Sequence, residues 1–258
     1  MQKPILKFAL VVMVLFLNCC AKAQTAESDE FVQKYKELEN LLKSKTKDWE
    51  NENSNAEKWG KNCHSDIFSV LDALETTPGW EFCIDMPIKG GLGDKSHLYV
   101  KNIYTGENNP NYFNHIRLKN ISVASCWQWI LFYKMINILP YYWHSAYKMS
   151  HLVLTDNDFQ KIVERISFVP DSVYEKEEIE VGTISETEYN RIKNTEIKPV
   201  RVNVDEPNRM AEVVLYSWND WTGLTEESFI LKIDENNVVI IENVNSKTII
   251  DYDCGITF

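Results

Sequence analysis

The sequence predicts an α+β protein in which N-terminal and central helices pack against a C-terminal antiparallel sheet. Three observations predict it. Apolar residues recur at three- and four-residue steps from Phe31 to Leu42, a nearly unbroken apolar stretch runs from Val123 to Leu139, and the last third is a series of short β-rich runs separated by turn residues. Helices first and strands later is the order of an α+β chain, not of alternating βαβ units. The organisation read from this is a signal segment at residues 1–23 and one domain at 24–258. Within that domain, 24–60 forms a helical lead-in and 196–258 a β-meander.

The first segment is a targeting signal. Lys3 and Lys7 precede an apolar run of ten residues, Phe8 to Leu17. A helix crossing a bilayer needs roughly 20 such residues, so the run is too short to be a stable span. Ala21-Lys22-Ala23 has the small-x-small pattern of a cleavage site before Gln24. The expected location is therefore secreted or periplasmic, with no transmembrane segment after cleavage. The alternative is a lipid anchor at Cys20, for which Leu17 stands at −3 and Cys19, a poor match, at −1.

Charge narrows the partners. The chain of 258 residues carries 38 acidic and 27 basic side chains, a formal net charge of −11, and cleavage would remove three of the lysines. Such a surface repels phosphate backbones, whose binding needs Lys and Arg to displace counterions, so no nucleic acid is expected. The expected partner is a protein or a glycan of unknown identity.

The elements follow in order. Phe31, Tyr35, Leu38 and Leu42 mark one stripe of an amphipathic helix, with Asp29 available as a cap. "NENSNAEKWGKN" is a loop. "SDIFSVLDALETTPGW" predicts a second helix capped by Ser65 and stopped at Pro78-Gly79. The next stretch is broken by glycines and prolines. Its best strand is "HLYVKNIY", and "TGENNPN" is a turn. Val123 to Leu139 has no apolar stripe, the mark of a helix buried on all sides, and Pro140 ends it. "YYWHSAYKM" predicts a further helical piece and "SHLVLT" a buried strand. Thr155 opens a helix at "TDNDFQKI", and "SETEYNRI" repeats its pattern 30 residues later, which reads as one capping chemistry used twice. Five strands should follow, at "IKPVRVNV", "MAEVVLYSW", "EESFILKID", "NVVIIEN" and "KTIIDYD", with "DENN" as a hairpin connection.

Few residues suggest chemistry. Cleavage would leave Cys63, Cys83, Cys126 and Cys254, an even number that in an exported chain suggests disulfides, with three pairings open. A Cys63–Cys83 bond would close a short loop, worth about 3 kcal/mol, and leave Cys126 for Cys254. Trp80, Trp218 and Trp221 are candidate contact residues; the last two flank an Asn-Asp turn, where exposed rings could anchor a ligand. Cys63-His64-Asp66 lacks the companion spacing of a zinc site, and Gly90, Gly91 and Gly93 lack the spacing of a phosphate loop. No metal and no cofactor are expected.

One catalytic arrangement competes with a binding role. Cys126 falls in the first turn of its helix, where the dipole and unpaired amides favour a thiolate. Ser125-Cys126-Trp127 resembles the nucleophile region of papain-like cysteine peptidases, in which a Cys followed by an aromatic opens a helix. The resemblance implies a base and an orienting residue. His151 and Asp156 would fill those roles, in the Cys–His–Asp order also found in transglutaminase-like hydrolases. The chain departs from the peptidase pattern at Val123-Ala124, where a Cys-Gly pair would stand. The gap from Cys126 to His151 is also shorter. The sequence therefore favours an exported protein of non-catalytic binding role. A thiol hydrolase or acyltransferase is the alternative.

Overall fold

The computed structural model of the protein describes residues 29–45, 66–85, 97–136, 151–175, 180 and 182–253. The expected signal segment, the glycine-rich stretch, the run "YYWHSAYKM", and Cys63, His64 and Cys254 lie outside the described residues. What is described is an α+β fold with a C-terminal antiparallel sheet.

Residues 29–45 form the first helix, α1. Its stripe is the one the spacing marks, with Phe31, Leu38 and Leu42 buried and Tyr35 packed at the margin of the core. The expected second helix shrinks to a single turn, α2 (Ile67–Val70). Leu74–Thr76 forms a strand instead, β1. The reason is tertiary. Gln128 accepts the Ala73 amide at 2.8 Å, and Leu74 pairs with Leu118 so that both vanish into the core. Non-local burial outweighs the helical preference of "LDALE".

Next come β2 (Trp80–Asp85), β3 (His97–Asn102) and β4 (Asn108–Asn109), a three-stranded antiparallel sheet. β2 was not foreseen, although Phe82 and Ile84 alternate on its core face. A 3₁₀ turn at Tyr112–His115 leads into β5 (Ile116–Leu118), the partner of β1.

The central helix, α3 (Val123–Met135), starts where expected and has the expected character. Every residue from Ser125 to Phe132 is buried. Ser122 caps it by accepting the Ser125 amide at 3.2 Å, while Ser125 Oγ accepts the Ser122 amide at 3.0 Å. α1 docks on it through Phe31 and Trp127, whose ring centroids are 5.1 Å apart.

β6 (His151–Val153) and α4 (Asp156–Val163) follow. β7 (Phe168–Val169), α5 (Asp171–Tyr174), β8 (Ile184–Ser185) and α6 (Glu186–Lys193) complete the middle of the chain. Both caps of the echoed sequence form. Thr155 accepts the Asp158 amide at 3.1 Å and Ser185 the Glu188 amide at 3.2 Å.

The main sheet contains β9 (Arg201–Asp205), β10 (Met210–Asn219), β11 (Gly223–Ile233) and β12 (Val239–Ile250), in antiparallel sequence as the meander requires. β6 joins β10 on the same flank as β9, one pairing with residues 216–218 and the other with 210–214. The two runs expected as separate last strands are one continuous strand. Register shifts in its pairing with β11, near Glu242 and Ile249, absorb the irregularity. Gly223 opens β11 with φ +75°, and a Cβ there would lie 2.1 Å from the Ile250 carbonyl oxygen, so only glycine fits.

The sheet has a core on each face. Ala211, Val213, Leu215, Phe229, Leu231 and Ile233 join α1 and α3 in the larger core. Val153, Tyr216, Trp218, Leu224 and Ile250 face the smaller one, filled by Phe159, Ile162 and Ile192 from α4 and α6. This division follows from the two-residue period of a strand, and it decides the fate of the candidate site.

Candidate functional site

Strand alternation keeps Cys126 and His151 apart. Cys126 sits on α3 in the larger core. On β6, Leu152 faces that core, so His151 and Val153 project from the opposite face. Val153 and His151's cross-strand partner Trp218 both lie in the smaller core. Asp156 opens α4 and accepts the Ile197 amide at 3.3 Å. The fold does not bring the three residues into one site.

The thiol itself is poorly placed for nucleophilic work. Cys126 is wholly buried and free. Burial pushes its pKa up to about 11, against the smaller opposing effects of the Ser125 hydroxyl and the hydrogen bond at Ser122. Desolvation outweighs the helix N-terminus. The expected disulfide on Cys126 is also corrected, since the α3 core encloses it as a thiol. No disulfide joins the two described cysteines, Cys83 and Cys126, and the other candidates, Cys63 and Cys254, lie outside the described residues.

Trp218 and Trp221 part company. Trp218 is buried in the smaller core, 5.3 Å from the Tyr252 ring and 6.3 Å from Phe159, and its indole donates to Asp220 Oδ1 at 2.7 Å. It plugs the end of the sheet. Trp221 is half-buried in the turn, with its amide on Asn219 Oδ1 at 2.8 Å.

Trp80 leads to a different surface, one that the sequence reading placed at the end of the strand "HLYVKNIY"; that strand stops at Asn102, and Ile103 and Tyr104 belong to the turn. The link between β3 and β4 exposes Ile103 (49%) and Tyr104 (83%), the latter far more than any other described large apolar side chain. The turn is rigidly built. Asn102 Oδ1 accepts the amides of Tyr104 (2.9 Å) and Thr105 (3.0 Å), and its carbonyl accepts that of Gly106 at 2.8 Å. The Ile103 amide reaches across to the Gly79 carbonyl at 2.9 Å. Gly79 has φ +85°, and a Cβ there would stand 2.9 Å from Tyr104 Cε2, so glycine lets the ring edge rest on the backbone. Beside it, Trp80 lies against the His115 ring with centroids 4.1 Å apart. The signal for this site was "NIYTG", an apolar pair inside a turn that needs Asn and Gly.

Among the described residues, no group of three or more His, Cys, Asp or Glu could hold a metal, and no helix is long and apolar enough to cross a membrane. Comparison with protein-family models, curated proteins and solved structures finds no match.

Proposed function

We propose that this chain is an exported, non-catalytic binding protein, and that the Ile103–Tyr104 turn is its contact surface. The observation that carries the reading is a large aromatic ring displayed almost fully in solvent on a turn whose backbone is fixed by four hydrogen bonds. A backbone already fixed loses little freedom on binding, so more of the contact energy is retained. The signal segment supports export.

The ligand class this surface favours is a neutral glycan. Thr105, Asn108 and Asn111 are exposed around the ring, and the stretch from Ile103 to Asn111 carries one charge, Glu107. On a chain this acidic, a charge-poor aromatic and amide surface suits a neutral, hydroxyl-rich partner that stacks C–H groups on the ring face. Glycan-array binding of wild type and Tyr104→Ala tests it. The expected result is retained folding and at least a tenfold loss of binding, since a central aromatic anchor is worth about 2 kcal/mol or more. Equal binding by both proteins would remove the turn from the account.

The thiol-hydrolase alternative has no support of its own from the placement of Cys126, His151 and Asp156.

A further inference from the structure

Behind the aromatic turn lies a histidine whose hydrogen bonds admit one protonation state. His115 ends the 3₁₀ turn. Thr77 Oγ1 lies 3.2 Å from its Nδ1, and Asn109 Nδ2 lies 3.1 Å from its Nε2. The orientation of the Asn109 amide is set independently, because its Oδ1 already accepts the Asn111 amide at 2.9 Å. Its Nδ2 must therefore face the ring as a donor, and Nε2 must accept. Nδ1 then carries the proton and donates to Thr77 Oγ1. The neutral Nδ1–H tautomer satisfies every group in the chain of bonds.

Protonation breaks this arrangement in either of two ways. A proton on Nε2 opposes the Asn109 donor. Turning the amide to accept it removes the acceptor from the Asn111 amide. Asn109 is half of the two-residue strand β4, the strand that closes the Ile103–Tyr104 turn onto β3. His115 is also tied to the other side of the site, since its carbonyl accepts the Thr77 amide at 2.8 Å, two residues before Gly79.

We propose that His115 is a protonation-sensitive latch, holding the Ile103–Tyr104 turn in its displayed geometry while neutral and releasing it on acidification. This rests on the binding role of that turn.

Among the described residues, the charged neighbours of the ring are engaged elsewhere or turned away. On β5, Arg117 is engaged by Glu75 of β1 at 2.7 Å. On the β2–β3 hairpin, Glu81 and Lys101 face each other and alternate away from Trp80 and Phe82, while His97 lies at the far end of β3. Glu107 is exposed. Within the 3₁₀ turn itself, Tyr112 is buried against Phe82. Burial is the one cause that moves the His115 pKa, and it moves it below the ordinary 6.5. The Trp80 face would favour an imidazolium, and burial and the amide donor oppose it.

The test is imidazole ¹⁵N NMR of the folded protein from pH 8 to 4, with amide exchange of residues 102–109 followed in parallel. The latch predicts an Nδ1–H tautomer at neutral pH, a midpoint below 6.5, and amides that open with that midpoint. In Asn109→Asp a carboxylate accepts from Nε2–H, so the midpoint should rise by at least one pH unit and opening should vanish between pH 6.5 and 5. An Nε2–H tautomer, a wild-type midpoint at or above 6.5, or amides indifferent to the titration would overturn it. The ring is read without any ligand, so a failed latch and a failed binding site are told apart.

Discussion

At the residue scale, environment outweighs residue type. Cys126 has the local sequence of a nucleophile and the position of a core residue. Its thiol should resist iodoacetamide in the folded protein and react fully once unfolded, as peptide mass mapping would show; rapid native labelling would contradict its burial. The same burial has an alkaline consequence. The unfolded thiol ionises near its ordinary 9.0 while the folded one holds its proton to about 11. The unfolded state therefore binds fewer protons in that window, and stability falls as pH rises through it. The size of the effect is about 3 kcal/mol, and Cys126→Ala should abolish it. Denaturant midpoints at pH 8.5 and 10.5, between which about 2 kcal/mol of it should be lost, provide the comparison. Gly79→Ala meets both a positive φ and the Tyr104 ring. It should cost about 1–2 kcal/mol by thermal denaturation. A neutral effect there would mean that the ring does not rest on Gly79.

At the scale of elements, the sequence was most legible where a single face or a cap decides the structure. The α1 stripe, the buried α3 and the two capped helices at Thr155 and Ser185 were all readable. The second helix was not, because Leu74 finds Leu118 and Ala73 finds Gln128 across the chain, contacts that no local window contains. The last two strand runs merged because a strand can carry irregular register without stopping. Trp218 belongs to the core because β10 presents it to α4. The turn signal around it says nothing of which face it takes. Truncating it to Ala should cost about 3–5 kcal/mol. α3 and the sheet are joined by Lys134 and Glu227, 2.6 Å apart with 17% and 12% of their side chains exposed, and Ser217 Oγ also donates to Glu227 at 2.7 Å. Glu227→Ala would leave Lys134 without its carboxylate. A loss of about 3 kcal/mol is expected, and a loss under 0.5 would show the pair to be solvated in practice.

At the scale of the whole molecule, the candidate catalytic site fails for a topological reason. A sheet with a core on each face divides its strand residues by parity, and β6 sends Leu152 one way and His151 the other. Sequence order could place Cys126, His151 and Asp156 in line but could not assign them faces. The aromatic turn was missed for the opposite reason. Ile103 and Tyr104 look like the end of the strand "HLYVKNIY" until Asn102 is seen to turn the chain and Gly79 to lie beneath the ring. Acid stability is a property of the whole chain as well. Hydrogen bonds from Gln128 and Lys34 hold Asp72 below its ordinary 3.8 despite burial, and those from Arg191 hold Glu188 below 4.5. Groups so depressed stabilise the fold above their unfolded values and lose that contribution as pH falls through the folded ones. His115, also depressed, acts earlier, below 6.5. The melting temperature should therefore decline in two stages on acidification, first below 6.5 and again below 4.5.

The central claim is that the turn at Ile103–Tyr104 is a binding surface for a neutral glycan, and the most direct measurement is a backbone NMR titration of the folded protein with neutral oligosaccharides. The account predicts saturable shifts confined to residues around Gly79–Trp80 and Ile103–Asn111, lost in Tyr104→Ala. Saturation at another surface, identical shifts in the variant, or no response to any neutral saccharide would contradict it.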